Sequence, residues 1–359
     1  MANVETVVLA SSACSTPPGS RRVRKTDPNP WMELTLGVRR RAPLPALSAW
    51  EEIPPSQRVP MSRADLAALH GSDPAAVAAI RAWAASQDLI VTRDDGVAAR
   101  IGLGGTAASL GEAFGVELFD YQHDELGEFH ARAKPVRLPA HLACDITGVF
   151  GFDNHAILRP SARRFGAARP WSPPSVLAEF YGCPAANVPG RTIGMLEFGG
   201  AEQTSDVKAY FSRLGLARPV VQVVAGEGAP DAAARPKLVI YFSTFDEKGL
   251  IDSLSTVIGD AENDPSVLSI NWGEREFLAS RRAWSPAVVE HIAESFLAAA
   301  HLGISLCASA GEAGPAAEAK AARGAAGSLW TSLIARLTLM LYMEPMIDGD
   351  TTQLLAAFR

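Results

Sequence analysis

The chain has 359 residues, 48% of them apolar and 20% charged, with a formal net charge of -6 and a pI near 5.7. That length exceeds what one hydrophobic core ordinarily supports, so two domains are expected. The acidic balance excludes a blanket attraction for nucleic acid or an anionic membrane, and neither is expected as a partner.

Residues 1–30 lack a basic stretch followed by a long apolar core, so they read as an N-terminal extension rather than a secretory signal, and a cytoplasmic location is expected. Cys14, Cys144, Cys183 and Cys307 stand far apart without a CxxC pair, which points to unpaired thiols and to no zinc site. No apolar run reaches the length of about 18 residues needed to span a bilayer.

Residues 31–156 alternate strand and helix patterns. WMELTLGVRR alternates apolar with polar residues and predicts a strand. Asp73 and Pro74 open a predicted helix over 73–87, an N-cap followed by a proline tolerated in the first turn. LIVTRD is a short strand, GTAASLGEAFGVEL a second helix, and LFDYQH the strand after it. Two such units predict an open α/β sandwich.

Residues 157–174 are rich in Pro, Ala and Arg without apolar periodicity and read as an exposed linker, with Arg163 and Arg164 as solvated charge. Residues 175–359 then become α/β again. RTIGMLEFGG, PVVQVVAG, KLVIYFS, SVLSINWG and GISLCASAG are apolar, β-branched runs. They are separated by helix-like TSDVKAYFSRLG, KGLIDSLSTVIGDA and PAVVEHIAESFLAAAHLG. Apolar strands alternating with amphipathic helices predict a doubly wound, mainly parallel sheet.

Taken in order, these landmarks resemble the sedolisin family of serine-carboxyl peptidases, preceded by a kumamolisin-type activation prodomain. The first part is similar through ELTLGVRRRAPLP, HGSDPAAVAAIRAWAASQDLIV, GTAASLGEAFGVELFDY and GVFGFDNH. The second is similar through SPPSVLAEFYG, RTIGMLEFGG, DPSVLSINWG, CASAGEAG, SLWTSLIARL and DGDTTQLLAAFR. The resemblance implies a subtilisin-like fold, here shortened. It also implies a Ser nucleophile, a Glu base supported by an Asp, an oxyanion-hole Asp and a calcium site near the C-terminus. A carboxylate base suits acid pH, where histidine is already charged. A protonated acid in the oxyanion hole can donate to the developing alkoxide.

Carried onto this chain, that set does not match. Held in register by Leu329 and Trp330, the nucleophile position falls on Gly324, which has no side chain to attack with. Ser328 lies about one helical turn too late, and Ser332 reads as a packing residue. The base and its supporting acid belong on a helix four residues apart, but the matching interval is AGEGAPDAAARP. There Glu227 and Asp231 have the spacing, with Gly228 and Pro230 between them. The oxyanion acid maps to Glu312, one methylene longer than Asp, beside a structural Ser309. Asp348 and Asp350 make a poor cage for a hard cation, so no metal is inferred, and no cofactor. In SINWG, the backbone around Asn271, Trp272 and Gly273 could pair with an extended peptide. The seven histidines form no set by spacing.

The expected function is that of a sedolisin-like homologue without the Ser/Glu/Asp set, binding a peptide or protein partner while its prodomain stays docked. Two enzymatic alternatives stand beside it: an acid-acting serine endopeptidase with an unrecognised constellation, or a relative recruited to small-molecule chemistry in the cleft between the domains. A third is a decayed product without selected activity.

Overall fold

A computed structural model of the chain describes residues 5–13, 16–51, 53–54, 57–157, 159–160, 180, 182, 191–198, 212, 220–224, 237–270, 272–273 and 285–308. In the first half, the strands β1 (Thr6–Val8), β2 (Arg21–Lys25), β3 (Trp31–Val38), β4 (Ile90–Asp95) and β5 (Arg100–Thr106) are followed by β6 (Leu118–His123), β7 (Gly127–Arg132), β8 (Arg137–Pro139) and β9 (Ile146–Phe150). Its helices are α1 (Ser48–Glu51), α2 (Arg63–His70), α3 (Pro74–Ser86) and α4 (Ala107–Phe114).

The centre of this module is an antiparallel four-stranded sheet in the order β4-β5-β3-β9. The period-two alternation of β3 sends Leu34, Leu36 and Val38 to one face, where they pack with Ile101, Leu103 and Val149. The α3 and α4 helices close that face. In α3, the Asp73 carboxylate accepts from the N–H groups of Ala75 and Ala76, and Ala76, Ile80, Trp83 and Ala84 form the buried stripe. The Thr106 hydroxyl caps α4, which stops at Gly115 in the left-handed conformation, φ 62°.

Two sequence expectations change here. LFDYQH does form β6, but in a separate sheet, β2-β6-β7, because β5 takes the place beside β3. The strand β5 went unread because Gly102, Gly104 and Gly105 interrupt its β-branched pattern. Second, residues 1–30 are not a separate extension: β1 pairs with β8 and β2 with β6.

The second half carries β10 (Arg159–Pro160), β11 (Thr192–Phe198), β12 (Val220–Val224), β13 (Lys237–Ser243), α5 (Glu247–Gly259), β14 (Val267–Ile270), β15 (Trp272–Gly273), α6 (Pro286–His301) and β16 (Ser305–Ala308). Five strands form a wholly parallel sheet in the order β12-β13-β11-β14-β16. The chain therefore steps outward from β11 to one edge before returning to the other, which is the doubly wound order expected. The helix expected over TSDVKAYFSRLG lies outside the described residues apart from Ser212.

Helices α5 and α6 bury Leu250, Leu254, Val257, Val288, Ile292 and Phe296 in the core of the second half. Their opposite sides meet the second face of the four-stranded sheet. Phe150 of β9 and Ile157 belong to that same core, and the Ile157 N–H donates to the Phe245 carbonyl. The segment read as an exposed linker from 157 thus begins with a buried residue.

Close approach depends on two glycines. A Cβ at Gly37 would lie 2.4 Å from His291 Cε1, and one at Gly148 would lie 2.6 Å from His291 Nε2. The His291 ring fills the space they leave, edge-on to Phe150 with ring centroids 5.2 Å apart. Gly37→Ala should cost about 1–3 kcal/mol by overpacking. In a His291→Ala background measured by denaturant unfolding, the cost should fall by at least half. An undiminished cost would remove the ring from the account.

Candidate functional site

Of the residues singled out in the sequence, Glu227, Asp231, Asn271, Glu312, Gly324 and Ser328 lie outside the described residues, as do Asp348 and Asp350. Trp272 and Gly273 are described, and they are already engaged. As β15 they pair antiparallel with β10, Gly273 opposite Arg159 and Trp272 opposite Pro160. The backbone edge expected to receive a peptide holds a segment of this chain itself.

Beside the carboxyl ends of the parallel strands sits a buried acid that the sequence did not reveal. Glu247, at the first position of α5, accepts from the Ser285 backbone N–H at 2.6 Å and from the Ser285 hydroxyl at 2.9 Å. Burial pushes its carboxyl up to about 7; the two Ser285 bonds and Arg132 oppose this, and Asp153 adds to it. Arg132 and Asp153 pair at 3.0 Å. A Ser–Glu pair invites comparison with a nucleophile and its base, but the Ser285 oxygen also accepts from the Val288 N–H as the N-cap of α6. Both residues are buried, and the arrangement joins two helix starts.

Among the described residues, a dense set of polar contacts lies on the seam between the sheet of the first half and the two helices. Glu294 of α6 receives Arg40 Nε, Arg100 Nη1 at 3.7 Å and His291 Nδ1 at 3.3 Å. Burial would raise Glu294, but His291, Arg40 and Arg100 outweigh it and hold the carboxyl down at about 2. Arg100 is fully buried, and its pKa falls to about 10, still far above any working pH. Burial and Arg100 keep His291 below its ordinary value.

On α5, Asp252 accepts from the Thr35 hydroxyl at 2.7 Å, Arg93 at 2.6 Å and Lys248 at 2.6 Å. Near the helix ends, Arg63 donates to the Ile258 carbonyl at 2.8 Å and pairs with Asp264. The Met61 N–H donates to the His301 carbonyl at 2.7 Å. Module residues thereby satisfy carbonyls in the last turns of both helices, groups that a helix leaves open. Along the seam runs a groove of about 630 Å³, lined by Val38, Arg40 and Leu44 on one side and His291, Glu294 and Leu297 on the other.

The sequence pointed at none of these seam groups individually. The usable signal was glycine inside strands: Gly37 in ELTLG and Gly148 in GVFGF mark where another element approaches closely. Among the described residues, no group of three His, Cys, Asp or Glu side chains is arranged to hold a metal, and no helix is long and apolar enough to cross a membrane. Cys144 and Cys307 are free thiols.

Comparison with known proteins fits these two halves. Residues 18–155 match the family model of the pro-kumamolisin activation domain. The chain is 30% identical to kumamolisin of Bacillus sp. (strain MN-32) over 295 residues, covering 72% of this chain and 52% of that protein. It is 24% identical to the tripeptidyl-peptidase sed5 of Aspergillus fumigatus over 331 residues, covering 74% and 55%. The chain thus spans about half the length of these curated relatives. Among solved structures, a Pseudomonas sedolisin complexed with two molecules of pseudo-iodotyrostatin is similar at 21% identity with a TM-score of 0.32, over 41% of this chain and 47% of that one.

The buried Glu247 and the half-buried Glu294 set opposite pH windows. Glu294, depressed to about 2 from an ordinary 4.5, contributes stability present above 4.5 and lost as pH falls toward 2. Glu247, raised to about 7, contributes stability complete below 4.5 and lost as pH rises through 7. Glu294→Gln should cost about 3–5 kcal/mol at pH 6, because it leaves two guanidinium groups buried without their counter-charge. Thermal unfolding across pH 2–6 should show that penalty shrinking toward pH 2. A penalty constant with pH would show that the Glu294 charge does not stabilise the seam.

Proposed function

Starting from a chain that belongs to the sedolisin family and carries a kumamolisin-type prodomain, we propose that it is a non-proteolytic member that binds a peptide or protein partner. The observation that carries this reading is the length of the connection between β12 and β13. The first ends at Val224 and the second begins at Lys237, leaving 12 residues between two paired parallel strands. The connection must travel back along a five-residue strand, a distance of about 13 Å.

A helix presenting two carboxylates four residues apart needs about two turns, or roughly 11 Å of axis, before any residue is spent on entry and exit. The sequence here also places Gly226, Gly228, Pro230 and Pro236 in the interval, which disfavour a helical run. Glu227 and Asp231 are therefore a poor base and support. At the mapped nucleophile position Gly324 supplies no hydroxyl, and Glu312 alone could at most assist an oxyanion.

Binding without cleavage is consistent with the seam. In a peptidase, a prodomain that is cut away has reason to dock transiently; here partly buried ion pairs and helix-end hydrogen bonds join the halves. The partner would be a peptide strand at Trp272–Gly273, displacing Arg159–Pro160, or a small ligand in the seam groove.

Intact-mass measurement after incubation at about pH 4, within the carboxylate range, should show the chain whole across residues 157–174. Gly324→Ser should show no turnover of an unstructured protein between about pH 3 and 7, since a serine hydroxyl without a base is a feeble nucleophile. Time-dependent cleavage in that segment, abolished by substituting a residue of this chain, would overturn the reading. Turnover by Gly324→Ser would place a base in the chain, with Glu227 and Asp231 the first to be substituted.

A further inference from the structure

The chain between β3 and α2 runs over the C-terminal end of α6. Residues 43–51, which end in the one-turn α1, lie against it through Leu47 and Trp50, packed with Leu297 and Ala300. Their polar hold is His301, the last residue of α6 and only 1% exposed. Its Nε2 meets the Pro45 carbonyl at 2.8 Å, and the Trp50 indole stands edge-on to the imidazole with ring centroids 4.9 Å apart. His70 of α2 brings its Nδ1 to the Ala42 carbonyl at 3.3 Å, so two histidines hold the root of this segment. Among the described side chains no ion pair ties residues 43–51 to α6, in contrast to the seam around Glu294 and Asp252.

A carbonyl only accepts, so Nε2 of His301 carries the ring proton and Nδ1 is bare. Nδ1 is buried and has no hydrogen-bond partner among the described residues. A bare nitrogen is tolerated there, but a second proton would put a charged N–H where nothing accepts it. Burial lowers the pKa of His301 and outweighs the Pro45 carbonyl, which favours the charged ring as the helix end does; His70 adds to the lowering. The charged groups of the surrounding elements are engaged elsewhere: Arg41 with the Ala68 carbonyl, Arg58 with the Ile53 carbonyl, Arg63 with Asp264, Asp65 with Ser62 and Glu294 with Arg40. No described carboxylate acts on the ring.

We propose that residues 43–51 are an acid-released strap: protonation of His301 frees them from the end of α6 and opens the seam groove, while the ion pairs behind it keep the halves joined. Pro43 and Leu44 line that groove opposite Leu297, so release of the strap widens its mouth. Once released, the ring regains its ordinary pKa of 6.5, so the open form takes the proton more readily and closure weakens as pH falls below that value. Glu294, held at about 2, stays charged over the same range. The strap does not depend on the chain being non-proteolytic.

Amide hydrogen exchange of the full chain between about pH 7 and 4.5, which takes an ordinary histidine from neutral to charged, reads the strap directly once normalised to the unstructured rate at each pH. Protection of residues 47–51 should fall roughly 10-fold or more toward the acid end, while β3 and the interior of α6 keep theirs. His301→Gln, whose amide can still donate to the Pro45 carbonyl but does not titrate, should keep the strap protected throughout. If thermal melts show that His301→Gln is not folded, the ring nitrogen resonances of His301 decide, since their titration midpoint must coincide with the loss of protection. Protection of the strap that is independent of pH overturns the proposal, as does a loss that persists in His301→Gln or is shared by β3 and α6. So does a loss abolished by Glu51→Gln or Glu52→Gln, which would assign the transition to carboxylates beside Trp50.

Discussion

A carboxylate drawn partly out of water stays ionised when positive charge or hydrogen-bond donors accompany it, and the half-buried Glu294 finds its positive charge across the boundary between the two halves. Its counter-charges, Arg40 and Arg100, come from the strands and loop of the first half, and Arg100 is fully buried. Taken apart, the first half would be left with a guanidinium desolvated by its own sheet, and α6 with an acid beside a histidine. Breaking such a pair typically costs about 3–5 kcal/mol, a large share of the stability of an ordinary domain. Asp252 repeats the arrangement on α5 with Arg93 and Thr35. The glycines at 37 and 148 leave the space that lets α6 and its His291 ring come close to the sheet.

This geometry changes the meaning of the family resemblance. The activation-domain portion is complete enough to match its family model from 18 to 155 and to build both sheet faces. The second half keeps a parallel sheet and the helices that the first half grips. The family's chemistry depends on groups projecting from particular connections, and the connection from β12 to β13 is short and broken by glycine and proline. On the proposed reading, the scaffold keeps its docking surface without the residues that would act on a substrate.

Regular elements were legible in the sequence wherever local pattern and tertiary demand agreed. Asp73 and Pro74 announce α3, and the continuous apolar runs KLVIYFS and RTIGMLEF read correctly as buried parallel strands. The strand β5 was not legible, since RIGLGGT looks like a loop until it is placed between β3 and β4, where Gly102 and Gly104 are needed by their neighbours. Glu247 and Glu294 were invisible for a related reason. A charged residue on an amphipathic helix ordinarily faces water, and only tertiary packing buries Glu247 against Ser285 and half-buries Glu294 against the first half. The arginines that close WMELTLGVRR read as part of a strand; Arg40 is the partner of Glu294, 254 residues away.

The proposed reading implies that the first half stays docked as a permanent part of this protein. It is tested most directly by placing a recognition site for a specific protease within residues 161–174, cutting there, and running the product by size exclusion at pH 4 and pH 7. Glu294, held at about 2, remains charged at both, so the account predicts that the two fragments co-elute at both and separate only in denaturant. Folded halves eluting independently at either pH would contradict it.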